Sequence, residues 1–216
     1  MTTAYADHVL DCQGKIYPAP ILAAEKKLGM MAAGKMLEVI TDDANTGPDL
    51  LTWAEKVGAE IVSITAREDG GRYSFFVRKS LKTRSQTDTT AGADESRLFL
   101  IVLKTGFEYS AIVRSAFMYA ALAAAMEFET VVYCVQAAAD TMVAEQIDAR
   151  DQSKPGKPTI RQRFTEALEM GVHVEVCEQT ANVRGIAAGE LVEGVELRGG
   201  AVLIDYASRA VGQLSF

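Results

Sequence analysis

The chain is poor in the residues that bind metals or form disulfide frameworks. Its 216 residues include three cysteines, at positions 12, 134 and 177, and two histidines. The cysteines lack metal-ligand spacing, and an odd number is poor for a framework of disulfides. His8 and His173 have no histidine or carboxylate partner at ligand spacing. The sequence therefore predicts free thiols, a reducing cytoplasmic setting, and no metal or cofactor.

Long apolar runs and an excess of basic residues are also missing. The apolar run that comes nearest to a membrane span, residues 116–126, falls short of the roughly 18 apolar residues needed. The N-terminus lacks the basic start and apolar run of a signal peptide. The net charge of −7 argues against general nucleic-acid binding, which requires a concentrated basic surface. We expect neither a membrane protein nor a nucleic-acid-binding protein.

A polar stretch divides the chain. Residues 82–96 contain no large apolar side chain, so they cannot bury enough surface to offset the entropy lost on ordering. We interpret this stretch as a flexible linker between two domains, 1–81 and 97–216.

Each predicted domain has its own α/β pattern. Residues 8–78 alternate as strand, helix, strand, helix, strand, strand, which predicts a two-layer α/β sandwich with two helices on one face of a four-stranded sheet. After the linker, the apolar run 98–103 is typical of a central parallel strand buried on both faces. The helices and strands that follow predict a doubly wound parallel sheet.

Cys177 is the main candidate for chemistry. It stands at the carboxyl end of a predicted strand, where reactive groups collect in open α/β sheets. The positive end of a helix and a nearby Arg184 would lower the pKa of this thiol and favour the nucleophilic thiolate. The pattern alone leaves open an inert, buried cysteine at this position.

The residues around Cys177 resemble a known family. The run 166–177, the polar and alanine-rich stretch leading to Arg184, Gly185 and Ile186, and the segment 189–196 are similar to the DsrE/DsrF family of sulfur transferases. This resemblance covers roughly residues 98–216. It implies that Cys177 forms a persulfide and that the domain self-associates into an oligomer.

A second resemblance covers residues 7–79. Leu10, Asp11, Gly14, Pro18 and Pro20 match the frame of the TusA (SirA-like) sulfur carriers, as do Asp42, Asp43, Asp49, Leu50 and Trp53. In that family a cysteine precedes the first of the two prolines and carries the persulfide, whereas this chain has Tyr17. A phenol with a pKa near 10 is a poor nucleophile and cannot hold a persulfide. The resemblance implies a docking surface for relay partners and a degenerate carrier position.

Two hypotheses follow. In the first, the chain is a sulfur-relay protein that receives sulfane sulfur on Cys177 and passes it to an acceptor thiol, with other relay proteins as donor and acceptor. Cys134 and Cys12 are then candidate relay thiols, and a structural role is the alternative for each. In the second, the chain is a non-catalytic scaffold of a sulfur-trafficking system. Whether it turns over as a sulfurtransferase is left open by the sequence.

Overall fold

The computed structural model describes residues 5–42, 46–66, 71–80, 97–151 and 153–216. The chain divides into two compact units, Met1–Asp94 and Glu95–Phe216. The predicted linker, residues 82–96, lies outside the described residues.

The described residues of the N-terminal unit form six elements in the predicted order. They are β1 (His8–Asp11), α1 (Ala19–Met30), β2 (Met36–Thr41), α2 (Thr46–Lys56), β3 (Glu60–Ala66) and β4 (Tyr73–Arg78). The strand order in the sheet is β1-β2-β4-β3. β1 and β2 are parallel, and β4 is antiparallel to both β2 and β3. The predicted four-stranded α/β sandwich is confirmed.

Apolar burial and one polar contact hold the helices of this unit. Ile21, Leu50 and Trp53 are almost fully buried, as are Leu37 and Val39 of β2. The Trp53 indole N–H donates to Glu25 Oε2 at 3.1 Å, which links α2 to α1. A buried indole needs such a partner because its N–H otherwise loses its hydrogen bond to water.

The C-terminal unit has five strands and five α-helices among its described residues. The strands are β5 (Leu98–Leu103), β6 (Glu129–Cys134), β7 (His173–Cys177), β8 (Val195–Arg198) and β9 (Gly212–Ser215). The helices are α3 (Ser110–Ala125), α4 (Ala144–Ile147), α5 (Ile160–Glu169), α6 (Glu178–Arg184) and α7 (Gly200–Arg209). The strand order is β8-β7-β6-β5-β9, and every neighbouring pair is parallel. The predicted doubly wound parallel sheet is confirmed.

The sheet of the C-terminal unit is covered on both faces, which explains its apolar central strand. Leu98, Leu100, Ile101 and Leu103 of β5 have no exposed surface, although successive side chains point to opposite faces. On one face, Leu203, Tyr206 and Ala210 at α7 pack against Leu98, Leu100, Val131, Tyr133 and Cys177. We call this side of the sheet the α7 face. Cys177 thus belongs to the cluster under α7.

The other face carries α3 and α5. The buried alanines of α3, among them Ala116 and Ala120, let this helix approach the sheet closely. Phe117 of α3 meets Phe164 of α5 edge to face, with ring centroids 5.7 Å apart. The start of α5 is fixed by a capping box between Thr159 and Gln162, as the Thr-x-x-Gln spacing favours.

Candidate functional site

Cys177 is the last residue of β7 and the N-cap of α6. Its side chain lies on the α7 face and is 8% exposed. The chain turns from strand to helix at this residue, so the first backbone N–H groups of α6 lie beside the sulfur. These groups have no partner inside the helix and are available as donors.

Burial and hydrogen bonds together determine how readily the Cys177 sulfur ionises. Burial is the largest single influence and raises the pKa of the Cys177 thiol. It is opposed by the backbone N–H and the hydroxyl of Thr180, by the Tyr133 phenol and by the backbone of Gln179. The net effect lowers the pKa below its ordinary value, because these groups stabilise the charged form. The site therefore raises the fraction of nucleophilic thiolate above that of an ordinary cysteine.

Tyr133 brings a phenol from the neighbouring strand into this site. It has no exposed surface, and its hydroxyl donates to the Arg198 carbonyl oxygen at 2.9 Å and to the Gly199 carbonyl oxygen at 3.0 Å. Burial and the nearby Cys177 thiolate raise the pKa of this phenol. Tyr133 therefore stays protonated and keeps its O–H as a donor.

The side chain of Gln179 connects the sulfur to the start of α7. Its Oε1 accepts a hydrogen bond from the Cys177 thiol, with the two atoms 3.2 Å apart. The same oxygen accepts from the Gly200 backbone N–H at 3.1 Å. Gly200 is the first residue of α7, so one amide oxygen links the thiol to that helix.

A buried carboxylate lies on the same face of β7, two residues before Cys177. Glu175 is 4% exposed, and its Oε1 accepts from the Tyr206 hydroxyl at 2.9 Å. Arg198 Nε lies 3.4 Å from the same oxygen. Among the described residues, Glu175 Oε2 has no hydrogen-bond partner. Because Arg198 is the strand-register partner of Cys177, it is also the cation that sheet pairing places beside the site.

Arg184, the cation expected beside Cys177, is held elsewhere. Its guanidinium forms two hydrogen bonds with the Asp140 carboxylate, Nε to Oδ1 at 2.6 Å and Nη2 to Oδ2. Arg184 ends the seven-residue helix α6 that Cys177 caps, which separates the two by about 10 Å along the axis. Gly185 then ends the helix with φ +69°, a conformation that suits glycine. The guanidinium thus neutralises Asp140 and anchors α6, and the groups that act on the thiol come from other residues.

Cys134, a candidate relay thiol, points away from Cys177. Its register partner on β7 is Val176, and side chains alternate along a strand, so the two sulfurs lie on opposite faces of the sheet. Cys134 has no exposed surface. Burial raises the pKa of its thiol to about 12. The structure gives Cys134 the environment of a core residue.

The two N-terminal candidates differ from each other in burial. Cys12 has no exposed surface, and burial, assisted by the charge of Asp11, raises the pKa of its thiol against the effect of Lys15. Tyr17 is half-buried and precedes Pro18, the N-cap of α1. The turn between Cys12 and Tyr17 is held by the Gly14 N–H, which donates to both carboxylate oxygens of Asp42 at 3.0 and 3.1 Å. Tyr17 thus lies between this turn and the start of α1.

Sequence reasoning missed four residues that surround the thiol. Tyr133, Glu175, Gln179 and Thr180 were not singled out, although the first two carried a signal. Tyr133 and Glu175 each stand between two apolar residues of a strand, and buried polar groups of that kind require partners.

Among the described residues, no group of three or more His, Cys, Asp or Glu side chains is placed to hold a metal ion. In the same part of the chain, no helix has the length and apolar character needed to cross a membrane.

The C-terminal unit is an open parallel α/β sheet with a cysteine at the carboxyl end of a strand, and comparison with known families makes the class of protein specific. Residues 97–216 match the DsrE/DsrF-like family, and residues 8–79 match the family described as sulfurtransferase TusA. The chain belongs to the DsrE/DsrF-like family and carries a TusA domain in front of that domain. Both families point to a role in sulfur relay, in which they work with other proteins.

Individual relatives cover either nearly the whole chain or one of its two units. An uncharacterised protein of Methanocaldococcus jannaschii is 28% identical over 204 residues, which are 94% of this chain and 71% of that protein. The sulfur carrier protein TusA of Allochromatium vinosum is 36% identical over 74 residues, 34% of this chain and 95% of that protein. Among solved structures, the ychN protein of E. coli matches 56% of this chain and 99% of its own, with 20% identity and a TM-score of 0.46.

Proposed function

We propose that this protein relays sulfane sulfur as a persulfide on Cys177. The observation that carries the proposal is the surroundings of the sulfur. Hydrogen-bond donors from α6 and from Tyr133 lower the pKa of Cys177 even though burial acts against them. A cysteine with stabilised negative charge is suited to attack sulfur and to leave as a thiolate.

The chemistry consists of two displacements that balance without an external oxidant. The Cys177 thiolate attacks the outer sulfur of a donor persulfide, an Sγ–S bond forms, and the donor's S–S bond breaks to release its thiolate. An acceptor thiolate then attacks the outer sulfur now held on Cys177. The Sγ–S bond breaks, and Cys177 leaves as a thiolate ready for the next cycle. In this scheme the protein acts as a sulfurtransferase between two other relay proteins.

The N-terminal unit serves in this proposal as a docking module. Tyr17 replaces the thiol of the carrier frame, and Cys12 has no surface exposed to a partner. The same observation favours a second candidate function, a scaffold that binds relay proteins without carrying sulfur on any thiol.

Mass spectrometry of the full chain after exposure to inorganic polysulfide separates the two candidates. The relay proposal expects the wild type to gain one sulfur atom, and the Cys177→Ser variant to gain none. The Cys12→Ser and Cys134→Ala variants are matched controls and are expected to load like the wild type. A gain that persists in Cys177→Ser excludes this position, and no gain in the wild type, together with retained binding of relay proteins, favours the scaffold.

A further inference from the structure

Gln179 holds an unusual position between the thiol and a helix start. Its Oε1 lies 3.2 Å from Cys177 Sγ and 3.1 Å from the Gly200 nitrogen. The backbone at Gly200 is so close that an added Cβ would lie 3.4 Å from this oxygen. The amide oxygen therefore accepts two hydrogen bonds at once, one from the thiol and one from the backbone.

The contact with Gly200 fixes which end of the amide faces the sulfur. Gly200 N–H is the first backbone donor of α7, and such a donor has no acceptor within its own helix. A rotated amide would set the Nε2 hydrogens against this N–H, donor against donor. The hydrogen-bond network thus assigns Oε1, an acceptor only, to the position beside Sγ.

This assignment matters because an acceptor favours only one protonation state of the thiol. A neutral Cys177 donates its S–H proton to Oε1. After ionisation, the negative sulfur and Oε1 face each other with no proton between them, which is repulsive. A persulfide has the same problem, since its Sγ has no proton to donate.

We propose that the Gln179 side chain is a latch: its Oε1 opposes the ionisation of Cys177, partly offsetting the donors around the sulfur, and must move aside when the sulfur ionises or is loaded. When the thiol proton leaves to a base in solution, Oε1 gives up its contact with Sγ. Movement of Gln179 also takes the acceptor away from Gly200 N–H. This inference rests on the proposed role of Cys177 and adds a positioning residue to it.

The latch acts within a set of charged and titratable groups that stays constant when Gln179 is changed. Tyr133 faces the sulfur from β6, Glu175 from β7, Arg198 from β8 and Tyr206 from α7. Glu178, the first residue of α6, is exposed. A change in the pH dependence of Cys177 in a Gln179 variant therefore reports the amide itself.

The test is the rate at which iodoacetamide alkylates Cys177 across a range of pH, in the full chain. Gln179→Ala removes the acceptor, and we expect alkylation at neutral pH to become about two- to tenfold faster, as loss of one neutral hydrogen bond implies. The pH profile moves to lower pH in the same variant. Gln179→Glu places a negative charge beside the sulfur, so we expect slower alkylation and a profile moved to higher pH.

Asn182→Ala provides the matched control, because Asn182 is an exposed residue of the same helix. We expect its profile to equal that of the wild type. Slower alkylation in Gln179→Ala would overturn the proposal, since it would make Gln179 a donor to the thiolate, and an unchanged profile would overturn it equally. Alkylation does not require sulfur loading, so a failure of the relay function and a failure of the latch give different results.

Discussion

The hydroxyl of Thr180 allows the sharpest test of what activates Cys177. This residue lies in the first turn of α6 and acts on the sulfur through both its backbone N–H and its side chain. The hydroxyl oxygen also receives the Gln136 backbone N–H, with the two atoms 3.4 Å apart. Because the oxygen is an acceptor in that contact, its own proton is available to the sulfur. Thr180→Val removes this donor and keeps the shape of the side chain.

The size of the effect follows from the kind of hydrogen bond that is lost. A hydrogen bond to a charged group contributes about 1.5–3 kcal/mol, which corresponds to a change of roughly ten- to hundredfold in the fraction of thiolate. Alkylation by iodoacetamide follows that fraction, since the thiolate is the nucleophile. We therefore expect Thr180→Val to react about ten- to hundredfold more slowly at neutral pH.

Thr180→Ser is the control because it keeps the hydroxyl and removes only a methyl group. It is expected to react like the wild type. Equal rates for Thr180→Val and the wild type would refute the reasoning, because the hydroxyl would then contribute nothing to the thiolate.

Three further predictions concern Arg184, the buried Glu175 and Cys134. Arg184→Ala breaks the ion pair with Asp140, so the free energy of unfolding measured with urea should fall by about 1 kcal/mol. The alkylation rate of Cys177 should stay unchanged, because the guanidinium acts on Asp140. A large change in that rate would show that Arg184 acts on the thiol. Tyr206→Phe removes the hydroxyl that donates to the buried Glu175, so the free energy of unfolding measured with urea should fall by about 1.5–3 kcal/mol. An unchanged free energy of unfolding would show that the carboxylate does not depend on this hydroxyl. The free energy of unfolding should also fall as the pH rises between about 9 and 12, because burial raises the folded-state pKa of Cys134 to about 12, so the unfolded chain loses this proton first. Cys134→Ala should show a shallower decline over that range, and an identical slope would contradict the buried state of this thiol.

The sequence predicted the elements that depend on local pattern. The apolar run of β5 indicated a strand buried on both faces, and the alternating helices and strands after it indicated the parallel sheet. The short strand β8 did not stand out, and α6 was expected only as a helix start beside Cys177. A four-residue edge strand and a seven-residue helix depend on tertiary packing more than on propensity.

The surroundings of Cys177 depend on strand register, which a single sequence does not fix. Tyr133 lies 44 residues away in the chain and reaches the sulfur because β6 and β7 pair in one particular register. Arg184 lies seven residues away, yet α6 carries it off along the helix axis. Proximity in sequence thus indicated Arg184 as the cation beside Cys177, whereas strand pairing places Arg198 there.

The central claim is that the Cys177 sulfur ionises readily and accepts sulfane sulfur. The direct measurement uses a Cys12→Ser, Cys134→Ala double variant, in which Cys177 is the remaining thiol, and follows its loading by inorganic polysulfide as a function of pH with peptide mass spectrometry. The account predicts one added sulfur on the peptide that contains Cys177, with a loading midpoint below the ordinary pKa of a cysteine thiol. A peptide that stays unloaded, or a midpoint at or above that ordinary value, would contradict it.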